Sequence, residues 1–409
     1  MPLSALMPAP VSTNTRIPRR IGIGEKATPG ATRGSGIIAR HGCAPAAGGQ
    51  DPPMFVQDLR RELSRRFYIR SRTARTAALR IAYVVYASTL NGWHIRRPEP
   101  QAAASLRRRI EQLFDEDWQD ADAGLYPREL IEALPWREYA LAVPKLLADL
   151  PRTRERIRNR RHDELPEHLA PRYPPYYARN FHYQTDGYLG HTSAELYDLQ
   201  VELLFGGTAD AMRRRLIPPV VRFARAEGHA NGHAGPAEGR PLKLLDVACG
   251  TGHFLRMLGA ALPGARLFGV DLSPHYLARA RETLPREVDV SLVCENAESL
   301  PFPDGHFDAA TNVFLLHELP PEVRARILAE MTRVVRPGGL VVVADSLQLK
   351  DAPELHHELH AFPDRFHEPY YPSYIRDDLA GRVREASLEV CEERLAFLTK
   401  VVVARRPVS

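Results

Sequence analysis

From residue 242 onward the chain alternates short apolar runs with amphipathic stretches, and no other feature of its 409 residues constrains the fold as strongly. Residues 242–247, 266–270, 288–293, 307–313 and 339–344 read as buried strands, rich in Leu, Val and Ala and free of polar alternation. Between them, 254–262, 274–284 and 321–335 carry apolar positions at helical spacing. Repeated strand–helix units predict an α/β fold. Its core is a Rossmann-like, doubly wound and mostly parallel sheet, built by right-handed crossovers with helices on both faces. Ligands of such sheets bind at the carboxyl ends of the strands. Chemistry is therefore expected at 246–252, 271–273, 295–298 and 312–318.

Composition upstream divides the rest. Residues 1–53 are rich in Pro, Gly, Ala and Arg, with six basic groups against one acid in the first fifty, and read as a disordered basic leader. A tail, a targeting segment and a start-site artefact are the readings of it. Residues 1–50 carry the whole formal charge of +5, the excess of 55 Lys and Arg over 50 Asp and Glu in the full chain. Residues 241–409 hold 19 basic and 24 acidic groups, so the high pI gives no argument for nucleic acid as a partner. Residues 54–170 read as a helical N-terminal domain, with helical periods at 57–69, 73–90, 107–114 and 140–150. An arginine block at 55–110 (thirteen Arg, three acids) is expected to pair with an acidic block at 111–150 (ten acids, three basic residues). Residues 171–227 form an aromatic lid and helical connector, 228–241 a flexible linker, and 242–409 the strand–helix domain with an insertion at 346–375. No apolar run approaches the roughly 20 residues of a membrane span, so no membrane partner is expected. Four scattered cysteines without a CxxC pair suggest a reducing, cytoplasmic setting.

Gly250 and Gly252 follow the first strand directly, where a missing Cβ admits a ligand to the backbone. A dinucleotide fingerprint beginning there needs glycine at 255, and Leu255 occupies that position. The acid ending the strand, Asp246, also opposes a pyrophosphate. Both features favour a ligand with a positive centre and an amino acid moiety.

The ordered segments LLDVACGTG, GVDLSP, NAESLPFPDGHFD, LLHELP and RVVRPGGLVVVADS resemble the motifs of class I S-adenosylmethionine-dependent methyltransferases, of the ubiquinone/menaquinone-biosynthesis and small-molecule type. The resemblance covers about residues 242–345. It implies that Ala248, Cys249, Gly250 and Gly252 pass beneath the cofactor's amino acid part, with Asp246 orienting that loop. It further implies that Asp271 takes the ribose hydroxyls, Leu272 packs on the adenine, and Asn296, Ala297 and Glu298 meet its edge. Val313 completes the cofactor site at the fourth strand end. Asn296 stands where the family usually has Asp; its carbonyl can still accept from the adenine amino group, and the alternative is a turn-former that contacts nothing. The last two β runs, 388–391 and 396–404, are expected to form the antiparallel closing strands of this family.

The acceptor pocket must come from elsewhere. Residues 173–188 are dense in aromatics, and from them Tyr183 is assigned to the cofactor and Gln184 and Tyr188 to the acceptor. The insertion supplies His367, Tyr370, Tyr371 and Tyr374 as acceptor contacts, with aromatic rings able to stack a planar molecule. His317 and His367, with Tyr371, are the candidate catalytic groups, either histidine being a general base. Helix-capping and lid roles are the plainer readings of the same residues. His356 and His360 share a helix face, but no carboxylate–histidine pattern accompanies them, and no metal is expected. The Tyr173-Pro-Pro-Tyr176 segment resembles a box of amino-methylating nucleic-acid enzymes, except that Tyr173 cannot replace its leading amide or carboxylate. The reading is thus transfer of a methyl group to a small-molecule acceptor, aromatic or natural-product-like. Alternatives are a protein or RNA methyltransferase that uses the helical domain for recognition, and a non-catalytic binding protein on the same scaffold.

Overall fold

All seven predicted β runs are strands of one sheet. A computed structural model describes residues 54–91, 99–132, 136–162, 165, 173–229 and 240–408; the leader and nearly all of the linker lie outside them. The strands are β1 (Lys243–Val247), β2 (Arg266–Asp271), β3 (Val290–Cys294), β4 (Phe307–Val313), β5 (Val335–Ser346), β6 (Glu389–Ala396) and β7 (Thr399–Arg405). They lie in the order β3-β2-β1-β4-β5-β7-β6. The first five pair in parallel, while β7 runs antiparallel between β5 and β6. The order reverses between β1 and β4, which opens a crevice at their carboxyl ends.

Before the sheet come α1 (Met54–Asn91), α2 (Pro100–Asp122), α3 (Glu129–Glu132), α4 (Trp136–Asn159), α5 (His191–Leu204), α6 (Ala209–Arg214) and α7 (Ile217–Ala226). The two periods at 57–69 and 73–90 fuse into one helix, since 70–72 contains neither Gly nor Pro to break it. Within the sheet region lie α8 (His253–Ala261), α9 (Pro274–Thr283), α10 (Pro321–Val334), α11 (His356–Phe366), α12 (Tyr371–Tyr374) and α13 (Leu379–Glu385). Successive strand residues point to opposite faces. Leu244 and Leu267 pack into one core with Phe114, Met212, Val220 and Leu258, whereas Leu245 and Phe268 pack into the other with Ile327, Met331 and Val383. The helical region thus covers one face of the sheet, and residues 54–408 form a single compact unit with it.

The acidic block pairs only partly as expected. Arg65 reaches Asp115 and Arg61 reaches Asp122, so α1 and α2 do neutralise each other. The buried acids Asp117 and Asp120 are instead met by Arg214 and Arg215 at the end of α6.

Candidate functional site

The turn after β1 is a run of left-handed backbone. Ala248, Gly250 and Gly252 have φ of 58°, 55° and 74°, and Cys249 N donates to Val270 O at 3.0 Å, which stitches the turn to β2. A Cβ built on Gly250 would meet only the Tyr276 ring, at 3.9 Å, and would project into a cleft of about 710 Å³. Gly250→Val is therefore expected to abolish ligand binding there, by filling the cradle and by forcing a β-branched residue to a left-handed φ. Calorimetric titration and a thermal melt of the variant check this, the fold being retained.

Asp271 ends β2 beneath that turn. Its Oδ2 accepts from Gly250 N and its Oδ1 from Ser273 N, both at 2.8 Å. Each oxygen keeps a lone pair for a ligand. Burial lifts the carboxyl to about 6, against the opposing pull of the Ser273 and Gly250 amides. Asp246 lies deeper, does not line the cleft, and accepts from Thr311 Oγ1 at 2.8 Å, its cross-strand partner. Burial, only partly offset by Thr311, raises it to about 7.

Ala248, Gly250, Asp271, Leu272, Asn296, Ala297 and Val313 all line the cleft, as the sequence suggests, and Tyr188 joins them. No Lys or Arg lies among its described lining residues, while Asp271, Glu295 and Glu318 do; the cleft suits a cation. Asn296 behaves as a turn-former: its Oδ1 accepts from Glu298 N at 2.9 Å and its Nδ2 donates to Glu298. A second lone pair on Oδ1 remains.

Several assignments need correction. Glu298 does not line the cleft; it turns outward to Arg326 and receives the Tyr176 hydroxyl. Cys249 packs down on β2, its sulfur filling the space above Gly269. Tyr183, held with His182 in a left-handed turn (φ 55° and 53°), faces a different cavity together with Gln184. His367 packs against His162, with ring centroids 4.1 Å apart and the planes tilted by 42°, and lies beside Tyr183 rather than at either strand-end cavity.

A second cavity of about 830 Å³ adjoins the cleft and shares Tyr197, Phe314 and Glu318 with it. Its wall is apolar (Val201, Leu204, Phe205, Leu359, Phe362, Leu398), and Tyr371 lines it as expected. Tyr374 and Tyr370 do not. The Tyr374 hydroxyl donates to Ser346 O at 2.8 Å within the core, and Tyr370 lies beneath Arg179 with its carbonyl bonded by Arg324. Arg324 is itself buried, and it ties Leu316 O to Tyr370 O and Ser373 Oγ, which locks the insertion onto the β4 strand end.

The polar end of this cavity is a cluster the sequence reading largely missed. His317 Nδ1 is 2.6 Å from Asp345 Oδ1, and its Nε2 is 3.9 Å from Glu318. Burial disfavours the imidazolium, yet the Asp345 carboxylate overrides it and lifts His317 to about 10. His317 therefore carries a proton at neutral pH and donates, which corrects its assignment as general base. His182 Nε2 lies 3.0 Å from Glu368 Oε1 and 3.7 Å from Glu318 Oε1, and Tyr188 OH donates to Glu318 Oε1 at 2.5 Å. Phe314, also missed, follows β4 directly at φ 55° and stacks on Phe205 across the mouth between the cavities. A bulky residue in that conformation is a strained position of the kind that collects at binding sites.

Residues 244–339 match a family described as "Methyltransferase domain". Demethylmenaquinone methyltransferase of Thermus thermophilus is 35% identical over 153 residues, covering 37% of this chain and 61% of that protein. Ubiquinone/menaquinone biosynthesis C-methyltransferase UbiE of Methylobacterium nodulans is 36% identical over 149 residues, covering 36% and 53%. The chain thus spans somewhat over half the length of these two relatives. Among solved structures, magnesium protoporphyrin IX methyltransferase from Synechocystis with bound SAH aligns with 15% identity and a TM-score of 0.36, over 49% of this chain and 86% of that one. With its glycine turn, the β2 carboxylate and a cation-suited cleft at the switch point, the matched region is a methyltransferase domain, similar in sequence to the UbiE-type enzymes.

Proposed function

We propose that the chain transfers the methyl group of S-adenosylmethionine to a small, largely apolar acceptor with an aromatic ring. The observation that carries this reading is the second cavity, apolar along its walls, polar at one end, and open to the cofactor cleft at Phe314 and Glu318. The residues present suit the cofactor. Asp271 would hold the ribose hydroxyls, the 248–252 turn the amino acid part, and Leu272 and Ala297 the adenine, with the negative cleft favouring the sulfonium. When bound, the cofactor supplies an electrophilic methyl group, and the chain's task is placement.

Placement follows from the walls. Phe205 and Phe314 lie nearly parallel, 15° apart, and Phe362 leans on Tyr371 with centroids 4.9 Å apart, so a planar ring is confined between these two aromatic pairs. Polar substituents of that ring are drawn to the end where His317 presents its Nε2. There Asp345 fixes both the orientation and the charge of the imidazole. α11 closes over the cavity through Leu359 and Phe362, which excludes water from the reacting atoms. A further cavity lined by Tyr83, Tyr86 and Leu203 shares His182, Tyr197, Val201 and Leu204 with this one, so an acceptor bearing an apolar chain has room to extend. The two relatives, a demethylmenaquinone methyltransferase and a ubiquinone/menaquinone biosynthesis C-methyltransferase, agree with such an acceptor.

The test is transfer of labelled methyl from S-adenosylmethionine to a panel of hydroquinones and phenols with and without apolar chains. Phe362→Ala is expected to raise the acceptor KM at least tenfold and leave cofactor affinity unchanged. Turnover indifferent to both the acceptor's apolar chain and Phe362 contradicts the reading.

A further inference from the structure

Glu368 is a charged group that the fold accommodates poorly. It is 1% exposed, and neither carboxylate oxygen receives a hydrogen bond, although His182 Nε2 stands 3.0 Å from Oε1. A carboxylate buried so completely calls for hydrogen bonds or a counter-ion. Around it, one ligand atom each from His182, Glu318 and Glu368 lies within 4.8 Å of the others. The two distances from His182 Nε2, 3.0 and 3.7 Å, are what adjacent ligands of one small cation show when each bond is about 2.0–2.2 Å.

We propose that His182, Glu318 and Glu368 form a binding site for one first-row divalent cation at the mouth between the two cavities. The donor set is one imidazole nitrogen and two carboxylates, which suits Mn, Fe, Co or Zn rather than Mg or Ca, whose ligands are oxygens. Three protein ligands leave positions open, and the site faces the acceptor cavity through His182 and Glu318. The open positions are where an acceptor oxygen binds; this role rests on the proposed function, whereas the site itself does not. Supporting groups are in place. Tyr188 donates to the Glu318 oxygen that faces His182, which is how ligating carboxylates are oriented. His182 is held with its ring across Tyr188, centroids 6.4 Å apart, by the left-handed turn at φ 53°.

The three ligands come from three separated segments: the turn before α5, the β4 strand end, and the residue two past the end of α11. No spacing pattern in the sequence joins them. The histidines that do show a spacing, His356 and His360, are spent on backbone carbonyls of Leu349 and His356, at 2.8 and 2.7 Å.

The test uses the full chain stripped with chelator and titrated with Co²⁺, whose visible d–d absorption reports an ordered nitrogen–oxygen site. One saturable equivalent is expected. Glu368→Gln and His182→Gln are each expected to weaken it at least tenfold, with thermal melts confirming the fold and calorimetry showing S-adenosylmethionine affinity unchanged. Replacing His356 and His360 together by Ala is expected to leave the signal intact. The proposal is overturned if no saturable equivalent appears, if the signal survives both ligand substitutions, or if it vanishes with the surface histidines. Co²⁺ binding by a chain that transfers no methyl group to any of the hydroquinones or phenols would count against the proposed function alone.

Discussion

Asp271→Asn is expected to lower S-adenosylmethionine affinity by about two orders of magnitude while the chain stays folded. The carboxylate already accepts two backbone amides, and its remaining lone pairs point to the cleft. Two hydrogen bonds to a charged acceptor contribute about 1.5–3 kcal/mol each, and an amide can accept only through its single oxygen. The pH dependence separates this cause from a packing effect. Unfolded, the group titrates near the ordinary carboxylate value; folded, burial moves it to about 6. Between those values the folded chain holds the additional proton, so stability falls as pH rises through that window. Cofactor binding needs the ionised form, so affinity is expected to be level above pH 7. Below about 6 it falls by up to tenfold per unit of pH. In Asp271→Asn that break near 6 should be gone. Calorimetric titrations at pH 5, 6, 7 and 8 measure both effects, and a break that persists in the variant assigns the titration to another group.

The largest expected loss of stability lies elsewhere, at Asp117 on α2. Every lone pair of this fully buried carboxylate is used. Oδ1 accepts from Arg214 Nε and Tyr126 OH, both at 2.8 Å, and Oδ2 from Arg214 Nη2 at 2.7 Å and Tyr68 OH at 2.6 Å. Burial alone would raise its pKa, and the Arg214 guanidinium more than reverses this, holding it below the usual carboxylate range. One residue thereby joins α1, the turn after α2 and α6. Asp117→Ala strands Arg214 as a buried, uncompensated charge, and losses of this type run to about 3–5 kcal/mol. Denaturant unfolding measures it. Replacing Asp117 and Arg214 together with apolar residues of similar volume should recover most of the loss, because the burden lies in the orphaned charge. A single-variant loss under about 1 kcal/mol would mean that the pair behaves as a solvated one.

The sheet was legible in the sequence because its central strands are buried and mostly apolar; β5 and β7, with apolar runs at 340–344 and 401–404, are the plainest cases. The cofactor side was legible in part: the topology puts its chemistry at strand ends, where Asp271 and Gly250 stand, but Asp246, Cys249, Glu298 and Tyr183 do not line the cleft. The acceptor side was not. Its polar cluster joins His182, Glu318, Asp345 and Glu368, which are brought together only by tertiary packing and share no period or spacing. His317 was found by its place after β4, but its partner Asp345 decides its charge, and that partner is a strand away. Tyr183 and His367 illustrate the other failure. Both lie in aromatic-rich segments that read as a lid, and left-handed turns at 182–183 and 367 aim their rings away from the strand ends. The fused α1 shows the limit of periodicity, because an interruption in apolar spacing without Gly or Pro does not stop a helix.

A crystal structure of the chain with S-adenosylhomocysteine tests the central claim most directly. The ribose hydroxyls should lie on Asp271, the adenine between Leu272 and Ala297, and the sulfur should face the mouth between Phe314 and Glu318, toward the apolar cavity. A nucleoside bound elsewhere, or a sulfur directed away from that mouth, would contradict the account.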